Sequence, residues 1–266
     1  MTRKKPTIAD LRALKGKGQR TMLRVSSLDE AAAAEEAGID IVSVPEDIVS
    51  DPRYREVAPT LFSMTGLTHL HAGSRDDYLR WAGKALLAGA DAIYCSGGLG
   101  TVEHLAREHI PVVGHVGLVP IRATWTGGMK AVAKTAQAAL ALLDEVRAYE
   151  AAGAFAVEIE VVPVEVASEI SRRVGLLLWS MGAGPGCDAQ YLFADDVLGT
   201  NRGHMPRHSK VYRNFAAEYD RLQAERVAAF REFAADVAAS AYPEARHVVT
   251  LDAETLATFK AVLSSI

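Results

Sequence analysis

The chain has 266 residues, 49% of them hydrophobic, and a formal net charge of −4. That length and apolar content suit one α/β barrel or two smaller domains. The acidic balance offers no basic surface to nucleic acid or anionic lipid, and the apolar runs are too short to span a bilayer.

The basic start, "MTRKKPTIADLRALKGKG", has no apolar stretch behind it. It reads as a polar lead-in with a short helix rather than a signal peptide. Strand-like apolar runs then follow at 21–26, 39–45, 60–67, 91–98, 111–118, 154–162 and 175–184, with a weaker one at "DDVLGT" (195–200). Between them lie helical patterns at Leu28–Ala37, Asp76–Leu87, Val102–His109, Ala131–Ala151 and Glu165–Val174. Continuous apolar strands alternating with amphipathic helices imply a parallel sheet covered by helices. "EEAGIDIV", "LAGADAIY" and "EAAGAFAV" repeat one turn, in which Ala-Gly closes a helix before a strand. Eight strand candidates in this order predict a (β/α)8 TIM barrel. No GxGxxG or GxxxxGK[ST] pattern supports a dinucleotide or P-loop site.

Beyond residue 204 the pattern becomes helical, with one long helix, broken once, and a last helix in "LDAETLATFKAVLSSI". The expectation is a single barrel domain over 1–266. Residues 205–266 form a C-terminal helical extension that packs on the barrel or on a neighbouring subunit. Cys95 and Cys187 lack metal-ligand spacing, so a reduced cytoplasmic compartment is expected.

A barrel carries its chemistry at the C-terminal ends of its strands. The polar residues at those ends include Ser27, Glu46, Asp47, His69, His71, Tyr94, Ser96, His115, Glu158 and Glu160. Glu158 and Glu160 interrupt the apolar run "AFAVEIEVVP". Two residues apart, they share one strand face. Either that face is the barrel interior and holds a general acid or base, or it points to solvent or to a covering helix. His115 in "VVGHVGLVP" is a hydrogen-bonded core histidine or a catalyst. "HLH" at 69–71 is a transition-metal pair or an exposed loop. "GAGPGCDAQ" is an anion cradle or a plain turn. "RGHMPRH" (202–208) meets an anionic substrate or an acidic neighbour.

Several motifs stand in one order: "IPVVGHVGLVP", "GGMKAVAKT", "EAAGAFAVEIEVVPVEVASEI", "GAGPGCDAQ", "GHMPRHSKVYRNF" and "YPEARH". Over roughly residues 6 to 247 the chain resembles the ketopantoate hydroxymethyltransferase family, which opens pantothenate biosynthesis. The resemblance implies a (β/α)8 barrel, a homo-oligomer, and transfer of a hydroxymethyl group from methylenetetrahydrofolate to a 2-oxo acid through an enolate. It also implies a divalent metal, usually magnesium. Glu160 falls on the family's catalytic glutamate and His115 on its motif histidine. In "VPED", Glu46 stands where the family has a metal-binding aspartate, and Asp47 follows. Gly66 stands where it has a second. In "YCSGG", Tyr94 replaces a substrate-binding lysine and Ser96 a metal-associated glutamate.

The candidate substrate-binding residues are therefore His115, Tyr94 and Ser96, with Ser27 from its place at a strand end, and the candidate metal donors are Glu46 and Asp47, with His69 and His71 from the "HLH" pattern. A hard cation wants several oxygen ligands and negative charge, which Gly66 and Ser96 do not supply. Three readings follow. The first keeps the family reaction on a small-molecule substrate with Glu160 as base. The second is a remodelled site for another small molecule, with a transition metal or none. The third is a non-catalytic small-molecule-binding relative. Glu158, apolar in the family, is expected to be a second interior carboxylate.

Overall fold

The computed structural model describes residues 3–67 and 71–265. They fall into two compact units, Met1–Arg213 and Asn214–Ile266. Residues 205–213, grouped by sequence with the helical extension, thus belong to the first unit.

In the first unit the elements alternate, beginning with α1 (Ile8–Ala13), β1 (Arg20–Arg24), α2 (Leu28–Glu36), β2 (Ile41–Ser43), α3 (Glu46–Val49), α4 (Tyr54–Val57) and β3 (Phe62–Gly66). Then come α5 (Arg75–Ala88), β4 (Ala92–Tyr94), α6 (Leu99–Arg107), β5 (Val112–Gly117), α7 (Ala123–Thr126) and α8 (Ala136–Ala151). The unit closes with β6 (Ala156–Glu160), α9 (Val164–Ser171), β7 (Leu177–Met181), β8 (Ala189–Phe193) and α10 (Ala194–Leu198). The eight strands are parallel and form a closed barrel in chain order.

Alternation along each strand sorts the side chains into two cores. Val42, Ile93, Val112, Val157 and Leu178 face outward and pack under the helices. Met22, Ile41, Phe62, Met64, Val113, Leu177 and Trp179 fill the barrel interior. Leu11 of α1 joins the interior group, so the expected short helix closes the barrel base. Lys15 then pairs with Asp188 at 2.9 Å, and Asp188 also accepts the Leu178 N–H.

Helix starts carry the side chains that satisfy their free N–H groups. Ser27 caps α2, Ser74 caps α5 and Thr135 caps α8. The segment between β2 and β3 holds two four-residue helices, too short for a periodic pattern to mark. It is pinned by Tyr54, whose hydroxyl meets Ser63 at 2.5 Å, and by Arg55, which pairs with Asp91 at 2.7 Å and bonds the Ala58 and Leu61 carbonyls.

One strand expectation is corrected. The eighth strand is "AQYLF" (189–193), and "DDVLGT" holds the end of α10. Asp195 and Asp196 lie in that helix's first turn, where acidic side chains are favoured, and Gly199 at φ 70° ends it in the left-handed conformation.

The second unit contains α11 (Phe215–Ala238) and α12 (Ala253–Leu263). The expected break in the long helix is absent: α11 runs 24 residues, capped by Asn214. Its Ala-, Glu- and Arg-rich sequence has no glycine or proline to interrupt it.

Candidate functional site

The C-terminal ends of the strands surround a cavity of about 2100 Å³. Its floor is the upper layer of interior side chains. Strand register sets their neighbours: His115 stands beside Glu158, Gly117 beside Glu160, and Glu158 beside Trp179.

Glu158 and Glu160 both face the interior, and both are buried, as is His115. The His115 Nε2 is 3.0 Å from Glu160 Oε2, and its Nδ1 is 3.9 Å from Glu158 Oε2. On the other side the Tyr94 hydroxyl lies 2.8 Å from Nδ1. A neutral imidazole has one N–H. Placed on Nε2 it faces Glu160, and Nδ1 then accepts from Tyr94. The Nε2 approach is close but off-axis for a hydrogen bond, so that buried nitrogen has no hydrogen-bond partner.

Glu158 is beside Trp179 in register, and Trp179 meets Phe155 edge to face at 5.8 Å in the apolar interior. Burial pushes its carboxyl up to about 7, opposed by His115, reinforced by the charge of Glu160, and opposed weakly by Arg24. Glu158 therefore keeps its proton in mildly acidic water while ordinary carboxylic acids have lost theirs. Burial also raises the Tyr94 phenol well above the usual tyrosine range, so it remains a neutral donor.

The chain immediately after Glu160 is strained. Val161 has φ 47°, a left-handed conformation that a β-branched residue avoids at a cost of roughly 1–3 kcal/mol. Backbone bonds on both sides hold it: Val161 N–H to Met181 at 2.8 Å, and Leu118 N–H to the Glu160 carbonyl at 2.8 Å. This turn ends β6 with the Glu160 carboxylate at the cavity floor.

The remaining candidates separate. Ser96 lines the cavity, with its hydroxyl 2.9 Å from that of Tyr78. Glu46, Asp47 and His71 are exposed side chains at the cavity wall and mouth. His69 lies outside the described residues. Ser27 does not line the cavity; its hydroxyl accepts the Glu30 N–H at 3.1 Å as a helix cap. Arg24, Ser43 and Tyr191 are among the lining residues that the sequence reading did not single out. The usable signal for Arg24 was the one that exposed Glu160, a charge at the C-terminal end of an apolar strand, in phase with an interior residue, Met22.

Residues 58–245 match the family model described as ketopantoate hydroxymethyltransferase. The chain belongs to the ketopantoate hydroxymethyltransferase family. It is 31% identical to the 3-methyl-2-oxobutanoate hydroxymethyltransferase of Thermotoga neapolitana, over 91% of this chain and 96% of that one. It is 35% identical to the enzyme of that name from Halalkalibacterium halodurans, over 73% and 69% of the two chains. Among solved structures, 2,3-dimethylmalate lyase, a PEP mutase/isocitrate lyase superfamily member, superposes with a TM-score of 0.51. At 14% identity over 85% of this chain and 87% of that one, it shares the barrel fold.

The divalent metal implied for a ketopantoate hydroxymethyltransferase can be tested against the donors present. Among the described residues no three His, Cys, Asp or Glu side chains converge on a metal position. Gly66 cannot supply a donor, and the space is taken: a Cβ there would lie 2.8 Å from the Tyr94 ring. Ser96 offers only a hydroxyl already bonded to Tyr78. This donor set does not fit a hard cation that wants six or more oxygens and compensating negative charge.

Proposed function

We propose that this family member transfers a hydroxymethyl group from methylenetetrahydrofolate to a 2-oxo acid, with 3-methyl-2-oxobutanoate as acceptor, as the first committed step toward pantothenate. The observation that carries the reading is the Glu160 carboxylate, fixed at the cavity floor beside the His115 Nε2 at 3.0 Å.

Glu160 is the base. It takes the proton from the carbon beside the keto group, and the electrons move onto the keto oxygen as an enolate. The His115 imidazole lies against Glu160, with Nε2 3.0 Å from Oε2, and is itself held by Tyr94. Water breaks the two C–N bonds of the methylene bridge, its oxygen staying on the one-carbon unit and its protons going to the nitrogens of the departing tetrahydrofolate. The enolate carbon bonds to that carbon, and the resulting alkoxide takes the proton held by Glu160. A cavity of about 2100 Å³ exceeds what a small acid alone needs, since most ligand pockets hold roughly 300–1000 Å³. The remaining room, with Lys130, Lys134 and Arg207 on its walls, suits the anionic folate.

The protein is further read as a cytoplasmic homo-oligomer without nucleic-acid or membrane partners. Exposed aromatic side chains on α11 and α12, such as Phe230, Phe233 and Phe259, support assembly, and no helix among the described residues is long and apolar enough to cross a membrane.

Purified protein given methylenetetrahydrofolate and 3-methyl-2-oxobutanoate should release the hydroxymethylated acid, detected by mass spectrometry. An acceptor left unchanged at all protein concentrations overturns the reading.

A further inference from the structure

The barrel interior presents a cation that the residues described so far leave unused. Arg24 ends β1 in phase with the interior residue Met22, and it lines the cavity. Strand register places it between Ser43 on β2 and Phe193 on β8. Its guanidinium carbon is 5.8 Å from the centre of the Phe193 ring, and its other side meets the Tyr191 side chain. The Phe193 ring and the Tyr191 side chain flank the guanidinium.

Among the described residues no carboxylate pairs with Arg24 within 4.0 Å. Glu158 is the interior carboxylate whose titration feels it, and burial disfavours its charged form, so near neutral pH it balances the positive charge only in part. A half-buried guanidinium retained without an acidic partner has spare hydrogen-bonding capacity, and its planar fork matches a carboxylate bidentately. The other cavity-lining cations, Lys130, Lys134 and Arg207, lie on loops outside the strands. Tyr94, which stands where the resemblance implies a substrate-binding lysine, is neutral and is engaged with His115.

We propose that Arg24 is the residue that binds the substrate's carboxylate, from the first strand, across the cavity floor from Glu160. This inference rests on the 2-oxo acid reading given above. A small 2-oxo acid bound there has one anionic end. Arg24 takes that end, and Glu158, whose burial disfavours its charged form, repels it less than an ordinary carboxylate would. The keto group and its neighbouring carbon are left facing Glu160.

The test is calorimetric binding of 3-methyl-2-oxobutanoate and of its neutral methyl ester to the full-length protein and to Arg24→Gln and Arg24→Lys. Melting temperatures are taken in parallel. Wild type should bind the acid more tightly than the ester by about 10- to 100-fold, the range of charge-assisted hydrogen bonds. Arg24→Gln should bind acid and ester alike, and Arg24→Lys should recover part of the preference. If Arg24→Gln is unstable, the acid–ester preference of wild type and its change in Arg24→Lys decide the matter. An Arg24→Gln protein with wild-type melting and an undiminished acid preference overturns the inference and leaves the functional reading standing. A wild-type protein that binds no 2-oxo acid overturns both.

Discussion

The two walls of the barrel mouth are built differently. On β5 and β6 the interior positions carry ionisable groups in contact: the His115 imidazole lies 3.9 Å from Glu158 and 3.0 Å from Glu160. From β1 to β4 the matching positions carry one isolated cation, two neutral hydroxyl side chains and a glycine: Arg24, Ser43, Tyr94 and Gly66. The first wall has the groups that proton transfer uses, a buried carboxylate with an imidazole beside it. The second has what holding an anion needs, a guanidinium with no carboxylate within 4.0 Å among the described residues. Tyr94 joins the two walls through its 2.8 Å contact with His115.

The largest stability effect is expected on the first wall. The Glu158 carboxyl is raised by burial, so its ionisation opposes folding. Its contribution is fully present below the unfolded-state value near 4.5 and is lost as pH rises through about 7. Wild-type stability should therefore fall by on the order of 3 kcal/mol across that window relative to Glu158→Gln, which should lack this slope. Urea unfolding of both proteins from pH 4.5 to 8 measures it, and parallel curves would remove Glu158 from the buried cluster.

On the second wall, Gly66→Asp places a Cβ 2.8 Å from the Tyr94 ring. The ring must move, at a cost of roughly 1–3 kcal/mol, and adding Tyr94→Ala should relieve it. Thermal melts of the two single variants and the double variant test this. Additive losses would show that the glycine and the tyrosine are independent.

Ser27 belongs to neither wall. Ser27→Ala should cost about 1 kcal/mol of stability through the lost cap, with the affinity for substrate unchanged. A raised KM without lower stability would return Ser27 to the site.

The same contrast governs what could be read from sequence. The first wall was legible because carboxylates inside an apolar strand are costly and stand out, and because "VEIEVVP" and "GHVGLVP" carry the family's pattern. Arg24 sits in "TMLRVS", in phase with Met22, but a long side chain can reach solvent from a strand end, so its charge stood out less than those of Glu158 and Glu160. The pairing of Gly66 with Tyr94 joins adjacent strands and is visible only once the register is known. Seven strands were found from their apolar runs. The eighth was misplaced because "AQYLF" alternates weakly and "DDVLGT" offered a competing apolar pair before a glycine.

The central claim is that Glu160 removes the proton beside the keto group. It is tested most directly by following hydrogen exchange at that carbon of 3-methyl-2-oxobutanoate in heavy water by proton NMR. Wild type should wash out the signal, and Glu160→Gln, folded by its melting curve, should do so about 10²- to 10⁴-fold more slowly. Equal exchange rates in the two proteins would contradict the account.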